Sequence, residues 1–309
     1  MALDPAYLEY QRRRYGMDHD RYEWSMLSRR APVAWPNGAR VALWVNVAVQ
    51  FFPLNQRGKP FPPPGGMSTA YPDLRHYTLR DYGNRVGLFR CLEALDEAGL
   101  TPTFSVNAAI AERYPQLLER LNRRGNEILA SSWHMDTLHH GELAMDDERD
   151  LINRSLAALR AAVDEPVTGW LGPARSQSGN TPDLLAEAGI RYMGDWINDD
   201  MPYPFTTRHG ELIALPLSLE LDDQFIIQNN LHSEWEYADQ VKDACDYLLA
   251  EAGKTGHGRL LALSVHPWMM GQPHRIGAFE SALKHISEQT GVWSAPATDI
   301  VAAWSDQRA

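Results

Sequence analysis

Cysteine is scarce in this sequence: Cys91 and Cys245 are the two cysteines among 309 residues. So few cysteines cannot build a disulfide framework, and they are typical of proteins from a reducing compartment. No apolar run approaches the ~20 residues that a membrane-spanning helix needs. Residues 1–20 are charged and aromatic and contain no apolar stretch of the kind found in signal peptides. We therefore expect a cytoplasmic protein with no membrane partner.

Positive charge is also in short supply. The chain has 29 Lys and Arg against 40 Asp and Glu, which gives a formal net charge of -11. Such a surface repels phosphate backbones, so nucleic acid is excluded as an expected partner. Hydrophobic residues make up 44% of the chain, which is ordinary for a globular protein. The length is sufficient for one large α/β domain with a full core.

Strand-like and helix-like segments alternate from Arg40 onward. This alternation predicts parallel βαβ units, and so many units in one domain favour a closed barrel over an open sheet. A doubly wound sheet is the alternative, but no glycine-rich phosphate loop follows the first strand. The predicted strands are Val41–Val49, Thr101–Val106, Glu127–Ala130, Val167–Leu171, Ile190–Met193, Leu212–Leu217, Leu260–Val265 and Val292–Ala295. The predicted helices are Asn84–Ala98, Ala108–Arg124, Asp146–Val163, Thr181–Ala188, Ser233–Ala252 and Arg275–Gln289.

Two parts of the chain follow from this pattern. Residues 1–38 form an N-terminal arm rich in aromatic and charged residues, and residues 39–309 form the barrel domain. We expect the arm to pack on the barrel or on a neighbouring subunit, which favours a homo-oligomer.

Catalytic groups of a parallel barrel come from the carboxyl ends of its strands. His266 directly follows the apolar run Leu260–Val265 and precedes Pro267. Its imidazole should therefore lie at the barrel mouth, where it could act as a general acid or base near neutral pH. The alternative is a histidine that only hydrogen-bonds a loop carbonyl. The other polar residues at strand ends are Gln50, Asn107, Ser131, Ser132, His134, Arg175, Asp195, Asp199, Asp200, Glu220, Asp222 and Asp223.

The segment from Trp133 to His140 resembles a metal site at first sight. However, His134 and His139 are five residues apart, whereas helical ligand pairs are three or four apart and strand pairs two apart. We therefore expect no metal there, and Trp133 is instead a candidate for substrate binding.

Charged residues at other strand and helix ends are further candidates. The acidic pairs Asp199–Asp200 and Asp222–Asp223 could bind a cation, but a loop aspartate more often caps a turn. Glu220 alternates with leucines at a predicted strand end. Arg85 opens the first barrel helix, where it could bind a carboxylate or carbonyl of a substrate. A structural salt bridge is the alternative for Arg85.

Four segments together resemble the polysaccharide deacetylase (NodB-like) family, and within it the branch of bacterial allantoinases and cyclic imidases. They are WPNGARVALWVNV, DYGNRVGLFRCLEALDEAGLTPTFSVNA, GWLGPARSQSGNTPDLLAEAGIRYMGDWINDDMPYP and LSVHPWMMGQPHRIGAFESALKHI, and the resemblance covers roughly residues 35–304. It implies a distorted (β/α) barrel. It also implies hydrolysis of a carbon–nitrogen bond in a small amide or ring.

The chain departs from the metal-dependent members of that family. Those members carry two aspartates after the first strand, where this chain has Gln50 and no carboxylate. They also carry His-Ser/Thr-x-x-His after the third strand, where Ser131 and Met135 stand in place of the histidines. The family's last motif, with His266, is retained. The usual divalent-metal site is therefore dismantled, and we expect no metal cofactor.

These observations lead to one functional hypothesis. The protein hydrolyses a small amide or cyclic amide, with His266 as base or acid. Ser131, His134 and Gln50 would supply hydrogen-bond donors or position water, and Ser131 is also a candidate nucleophile. The residues that would hold the substrate are Arg85, Glu220 and Trp133. The alternatives are a deacetylase of N-acetyl sugars and a catalytically inactive barrel that binds a small molecule.

Overall fold

The computed structural model describes residues 19–56, 70, 72–122 and 126–308. Its strands are β1 (Val41–Val49), β2 (Pro102–Val106), β3 (Glu127–Ala130), β4 (Gly169–Trp170), β5 (Tyr192–Met193), β6 (Tyr203–Thr207), β7 (Gly210–Ala214), β8 (Arg259–Val265) and β9 (Val292–Ser294). Its α-helices are α1 (Leu74–Tyr82), α2 (Leu88–Ala98), α3 (Ala109–Arg113), α4 (Pro115–Asn122), α5 (Met145–Arg160), α6 (Thr181–Glu187), α7 (Glu234–Thr255), α8 (Pro267–Met270), α9 (Ile276–Ser287) and α10 (Ala297–Ser305).

The strands form one curled and mostly parallel sheet. Its order is β6-β7-β5-β4-β3-β2-β1-β8, and β9 pairs with the beginning of β1. The β6–β7 hairpin is antiparallel, whereas β1 runs parallel to both β2 and β8. This architecture confirms the predicted distorted parallel barrel.

The two ends of the sheet approach each other beyond β7. The chain after β7 runs alongside β8 and makes a parallel bridge between Asp222 and Ser264. Asp222 and Asp223 are thereby placed next to the end of β8, which His266 follows. The closure of the barrel therefore determines which polar residues meet at its mouth.

The alternation of side chains along β1 separates two hydrophobic layers. Leu43 and Val45 pack outward in the cluster between the sheet and the helices. Ala42 and Trp44 belong to a second cluster inside the barrel. Further along the inward face, β1 no longer presents apolar bulk but opens onto a cavity.

Several helices differ from the sequence prediction. The predicted helix over 108–124 is divided at Tyr114, because Pro115 disfavours helical backbone in the residue before it. The helix predicted to begin at Asn84 starts earlier, at Leu74, and continues through a π-helical turn at Gly83–Gly87. The predicted helix end at Gly125 lies outside the described residues.

The π-helical turn brings two glycines against the chain that follows His266. A Cβ atom on Gly87 would collide with the carbonyl oxygen of Pro267. A Cβ atom on Gly271 would collide with the backbone of Gly87. Only glycines allow this close approach, which fixes α8 and therefore the backbone next to His266.

The described part of the arm packs on the barrel. Arg21 makes a salt bridge of 2.8 Å with Asp183, and Arg30 makes one of 2.7 Å with Asp199. Trp35 is buried, and its indole donates a hydrogen bond to a backbone carbonyl of β8. Residues 1–18 lie outside the described residues. In the part of the chain that the structure covers, no helix has the length and apolar character needed to cross a membrane.

Candidate active site

A cavity of about 440 Å³ opens at the carboxyl ends of the strands. Its walls combine apolar residues with neutral polar and charged ones, as is typical of small-molecule sites. Some of the polar strand-end residues named from the sequence meet in this cavity. The polar residues that line it include Asn46, Gln50, Ser105, Ser131, Arg175, Asp222, Ser264 and His266.

His266 is held in the cavity wall by Asp223. The Nδ1 atom of His266 lies 2.5 Å from Oδ1 of Asp223, and the backbone N–H of His266 donates to Oδ2 at 2.7 Å. Because both carboxylate oxygens are engaged, the ring orientation is fixed. Among the described residues, Nε2 has no hydrogen-bond partner, so this nitrogen is the one that can meet a substrate or water in the cavity.

The charges around His266 determine its pKa. Burial of the imidazole lowers this pKa, but the negative charges of Asp223 and Asp222 outweigh burial and raise it above 6.5. Burial also raises the pKa of Asp223, and the charge and hydrogen bonds of His266 oppose that rise. The result is a histidine that takes up a proton more readily than a free imidazole.

Asp222 both caps a turn and balances charge. Its Oδ1 accepts from the backbone N–H of Gln224 at 2.9 Å, as expected of a loop aspartate. Its Oδ2 forms a salt bridge of 3.1 Å with Arg175. Although burial acts to raise the pKa of Asp222, the positive charges of His266 and Arg175 bring it below its usual value.

Arg175 sits in a strained loop. It and Ala174 have φ angles of 55° and 53°, which are unfavourable for residues with a side chain. Strain of this kind persists only where the surrounding structure holds it in place, and it occurs often at functional sites. Here it brings the guanidinium of Arg175 to Asp222 in the cavity wall.

Gln50 and Ser131 line the same cavity as His266. The Nε1–H of Trp268 donates to Oε1 of Gln50 at 3.2 Å. An indole nitrogen can only donate, so the amide nitrogen of Gln50 remains as a donor. Asn107 links the loops that follow β1 and β3. Its side chain donates a hydrogen bond to the carbonyl of Ser131 and accepts one from the backbone N–H of Phe51.

Two predicted site residues after β3 do not join this group. Trp133 is buried and lies under the guanidinium of Arg154, 3.6 Å from the ring centroid. His134 accepts a hydrogen bond from the backbone of Asp136, inside its own turn. Neither side chain lines the cavity, although their neighbours do.

Arg85 and Glu220 are also outside the cavity. The side chain of Arg85 is 77% exposed and lies 4.0 Å from Asp81, one helical turn earlier. This contact corresponds to the salt-bridge alternative. Glu220 is exposed in the loop that precedes Asp222. The apolar alternation around Glu220 comes from a loop beyond β7 and not from a strand.

The histidines that follow Ser132 bind different partners. His139 is buried between Glu148, whose Oε1 lies 2.9 Å from Nδ1, and Ser132, whose Oγ lies 3.1 Å from Nε2. His140 instead accepts a hydrogen bond from the backbone of Glu142. The two side chains therefore do not converge on a common point.

A divalent metal does not fit the residues at the family's ligand positions. Gln50, Ser131 and Met135 all line the cavity, and none of them carries a negative charge. Protein sites for zinc use thiolates, imidazoles and carboxylates as ligands. These three side chains are therefore weak ligands that would not replace the hydration shell of a cation.

A second set of residues has the spacing of a metal site. In the described part of the chain, Asp222, Asp223 and His266 form a group whose ligand atoms lie close enough to hold an ion. Those atoms are already used by one another and by Arg175, whose positive charge would repel a cation. The group is therefore better described as a hydrogen-bonded charge network.

Asp223 and Arg175 carry a weak signal in the sequence. Both stand at predicted strand ends, but a loop aspartate predicts a turn cap and not a partner for His266. The order of the chain carries one signal that Asp223 lies near His266. The segment with Asp223 precedes α7 and β8, and in a parallel barrel such a segment lies beside the strand that leads to His266.

The chain is similar in sequence to a family model and to a curated protein that both carry the name polysaccharide deacetylase. Residues 77–193 match the family model of polysaccharide deacetylase. A Schizosaccharomyces pombe (strain 972 / ATCC 24843) protein named "Putative polysaccharide deacetylase" is 24% identical over 244 residues, which are 73% of this chain and 74% of that protein. The resemblance inferred from the four sequence segments is thus confirmed.

Two crystal structures have the same fold. A "probable Polysaccharide deacetylase from Pseudomonas aeruginosa PAO1" is 22% identical, with a TM-score of 0.78, and the match covers 88% of this chain and 93% of that one. "Puue Allantoinase" is 21% identical, with a TM-score of 0.81, over 90% of this chain and 95% of the other. At this identity the similarity establishes the distorted barrel and leaves the reaction open.

Proposed function

We propose that this protein, whose sequence and fold match the polysaccharide deacetylase family, hydrolyses the carbon–nitrogen bond of a small amide or cyclic amide. The observation that carries the proposal is the pair of His266 and Asp223 in the cavity wall. One ring nitrogen of His266 is fixed by a carboxylate, and the other faces the cavity. This arrangement is what a general base needs to activate water.

The chemistry can be assigned to residues of this chain alone. Neutral His266 would take a proton from water through Nε2 as the water attacks the substrate carbonyl. The resulting oxyanion needs donors, which the amide nitrogen of Gln50 and the hydroxyl of Ser131 can supply. Protonated His266, stabilised by Asp223, would then give its proton to the leaving nitrogen. These steps assign every proton transfer to His266.

Deacetylation of an N-acetyl sugar is the second candidate. The names of the yeast and Pseudomonas proteins support it, and it uses the same attack on an amide carbonyl. Ring opening is supported instead by the allantoinase of similar fold. The cytoplasmic location and the homo-oligomer stay predictions of the sequence.

A substrate panel tests the proposal. Cyclic imides, ureides, acyclic amides and N-acetyl sugars are incubated with the wild-type protein, and product is measured by chromatography. We expect turnover of a ring substrate. Turnover of N-acetyl sugars alone would establish the second candidate, and a wholly inactive panel would contradict both.

The panel has a matched control variant, His285→Asn. His285 also pairs with an aspartate, Asp246 at 2.8 Å, but it does so on α9, away from the cavity. This variant should keep full activity. Loss of activity in His285→Asn would show that the assay responds to general damage and not to the cavity histidine.

A further inference from the structure

Asn46 has an unusual environment at the floor of the cavity. It lies in β1, is 0% exposed, and lines the cavity. Within the described residues, neither its Nδ2 nor its Oδ1 has a hydrogen-bond partner. Buried polar groups are nearly always hydrogen-bonded, since leaving them unpaired is costly. An amide that keeps both its donor and its acceptor unpaired beside a cavity therefore points to a ligand that satisfies both.

The strand register places Asn46 below His266. Asn46 pairs with Ser264 of β8, and His266 lies two residues further along the chain. Two strand residues span ~6.6 Å. Between the two levels β1 contributes Ala48, which also lines the cavity and whose side chain is a single methyl group. A five- or six-membered ring carrying carbonyl oxygens has the size to reach from one level to the other.

The surroundings of Asn46 are neutral. Ser264 is the register partner of Asn46, and Ser105 is the partner of Ala48 at the next level; both hydroxyl-bearing side chains line the cavity. The carboxylate of Asp222 is already paired with Arg175. A neutral floor of hydroxyls and one amide favours a neutral polar group over an ion.

We propose that Asn46 recognises the ring edge at which a carbonyl and an N–H stand side by side. In a small ring the amide bond is held cis, so its C=O and N–H lie on the same edge and can pair with the donor and the acceptor of Asn46. An acyclic secondary amide is trans, so these two groups point in opposite directions and only one can be bound. This inference rests on the proposed function and narrows its substrate class to rings with an unsubstituted N–H.

The test compares binding and hydrolysis of three probes: succinimide, N-methylsuccinimide and N-methylacetamide. Dissociation constants are measured by calorimetry, and kcat and KM by product formation. We expect the wild type to bind succinimide about 10–10²-fold more tightly than N-methylsuccinimide, and N-methylacetamide more weakly still. In Asn46→Leu this preference should disappear.

The matched control is Asn122→Leu, the same substitution at a residue of α4 that pairs with Asp164 away from the cavity. It should keep the preference for succinimide. A second readout separates recognition from structure. Because Leu removes an unpaired buried amide, Asn46→Leu should melt at the same temperature as the wild type or higher, while loss of a structural asparagine would lower it.

The outcomes distinguish this inference from the proposed function. Equal affinity of the wild type for the two imides, or no binding of succinimide, would overturn the role of Asn46. A preserved preference in Asn46→Leu would overturn it as well. Tight and selective binding of succinimide without hydrolysis would support the role of Asn46 and contradict the proposed hydrolase.

Discussion

The described part of the barrel holds two buried histidine–carboxylate pairs that differ in what the second ring nitrogen meets. In the pair of His266 and Asp223, Nδ1 binds the carboxylate and Nε2 faces the cavity. In the pair of His139 and Glu148, Nδ1 again binds the carboxylate, but Nε2 binds Ser132. The two pairs thus share their carboxylate geometry and differ in access.

The pair at His139 even has the order of a serine–histidine–acid triad. Ser132 has a φ angle of 54°, which is reminiscent of a nucleophile held in a strained turn. However, neither Ser132 nor Glu148 lines the cavity, so a substrate bound there does not contact the hydroxyl. Distances alone do not separate the two pairs, whereas contact with the cavity does, and this contact supports the proposal that His266 is the base. The network at His139 instead fixes the loop that presents Ser131 to the cavity.

The largest effect on turnover is expected from substitution of His266. His266→Asn keeps a polar side chain that can bond to Asp223 but removes the titratable nitrogen. Turnover of the ring substrate should fall by about 10²–10⁴-fold, with a far-ultraviolet circular dichroism spectrum like that of the wild type. A variant that keeps wild-type turnover would remove His266 from the mechanism.

The corresponding change at His139 should act on stability instead. His139→Asn leaves Glu148 and Ser132 without their shared partner inside the protein, which costs about 1–3 kcal/mol of unfolding free energy. Urea denaturation measures this loss. At temperatures where the variant is folded, its kcat should stay within a few-fold of the wild type. A kcat that drops as far as in His266→Asn would show that the two pairs do not differ in function.

The sequence is sufficient to predict the barrel, because strand-like and helix-like segments alternate from Arg40 onward. It is also sufficient to place His266 at the mouth of the barrel, since a histidine directly after a buried strand lies at the carboxyl ends of the strands. The sequence does not predict Asp223 as the partner of His266, because that role depends on a contact between residues 43 positions apart. Such a contact becomes visible only when the barrel closes.

Other differences between sequence and structure come from side-chain direction. Trp133 and His134 follow β3 just as Ser131 does, but the backbone at Ser132 turns the chain, so that Ser131 lines the cavity and Trp133 packs in the core. Arg85 falls on the exposed side of the π-helical turn. The sequence contains no periodicity that would reveal either local rotation.

The pH dependence of activity should follow the pKa of His266. Burial lowers the pKa of His266, but the charges of Asp223 and Asp222 outweigh it and raise this pKa above 6.5. In the proposed mechanism neutral His266 acts as the base, so kcat/KM should rise with pH through that pKa. A raised histidine pKa also stabilises the fold below pH 6.5, and this stabilisation is lost as pH rises through the folded-state pKa.

A charge substitution beside the ring tests this coupling. Asp222→Asn removes one negative charge and should move the acid limb of the kcat/KM profile to lower pH. Asp246→Asn, beside the more exposed His285, is the control and should leave the limb in place. An unmoved limb in Asp222→Asn would contradict the assigned charge coupling.

The smallest effect on turnover is expected from removal of metal ions. Gln50, Ser131 and Met135 are neutral at the positions where metal-dependent relatives carry their ligands, and zinc sites in proteins are built from thiolates, imidazoles and carboxylates. We therefore expect elemental analysis of the dialysed protein to find no stoichiometric zinc, and a chelator to leave turnover unchanged.

Zinc retained through dialysis would contradict this prediction. Variants of the two histidine pairs would then show where the zinc is bound. At the open pair an ion would compete with the hydrogen bonds between His266 and Asp223 and with Arg175, which lies 3.1 Å from Asp222. Loss of the zinc in His266→Asn but not in His139→Asn would place it there. The ion would displace the bond to Asp223, and the role of His266 would change from base to ligand.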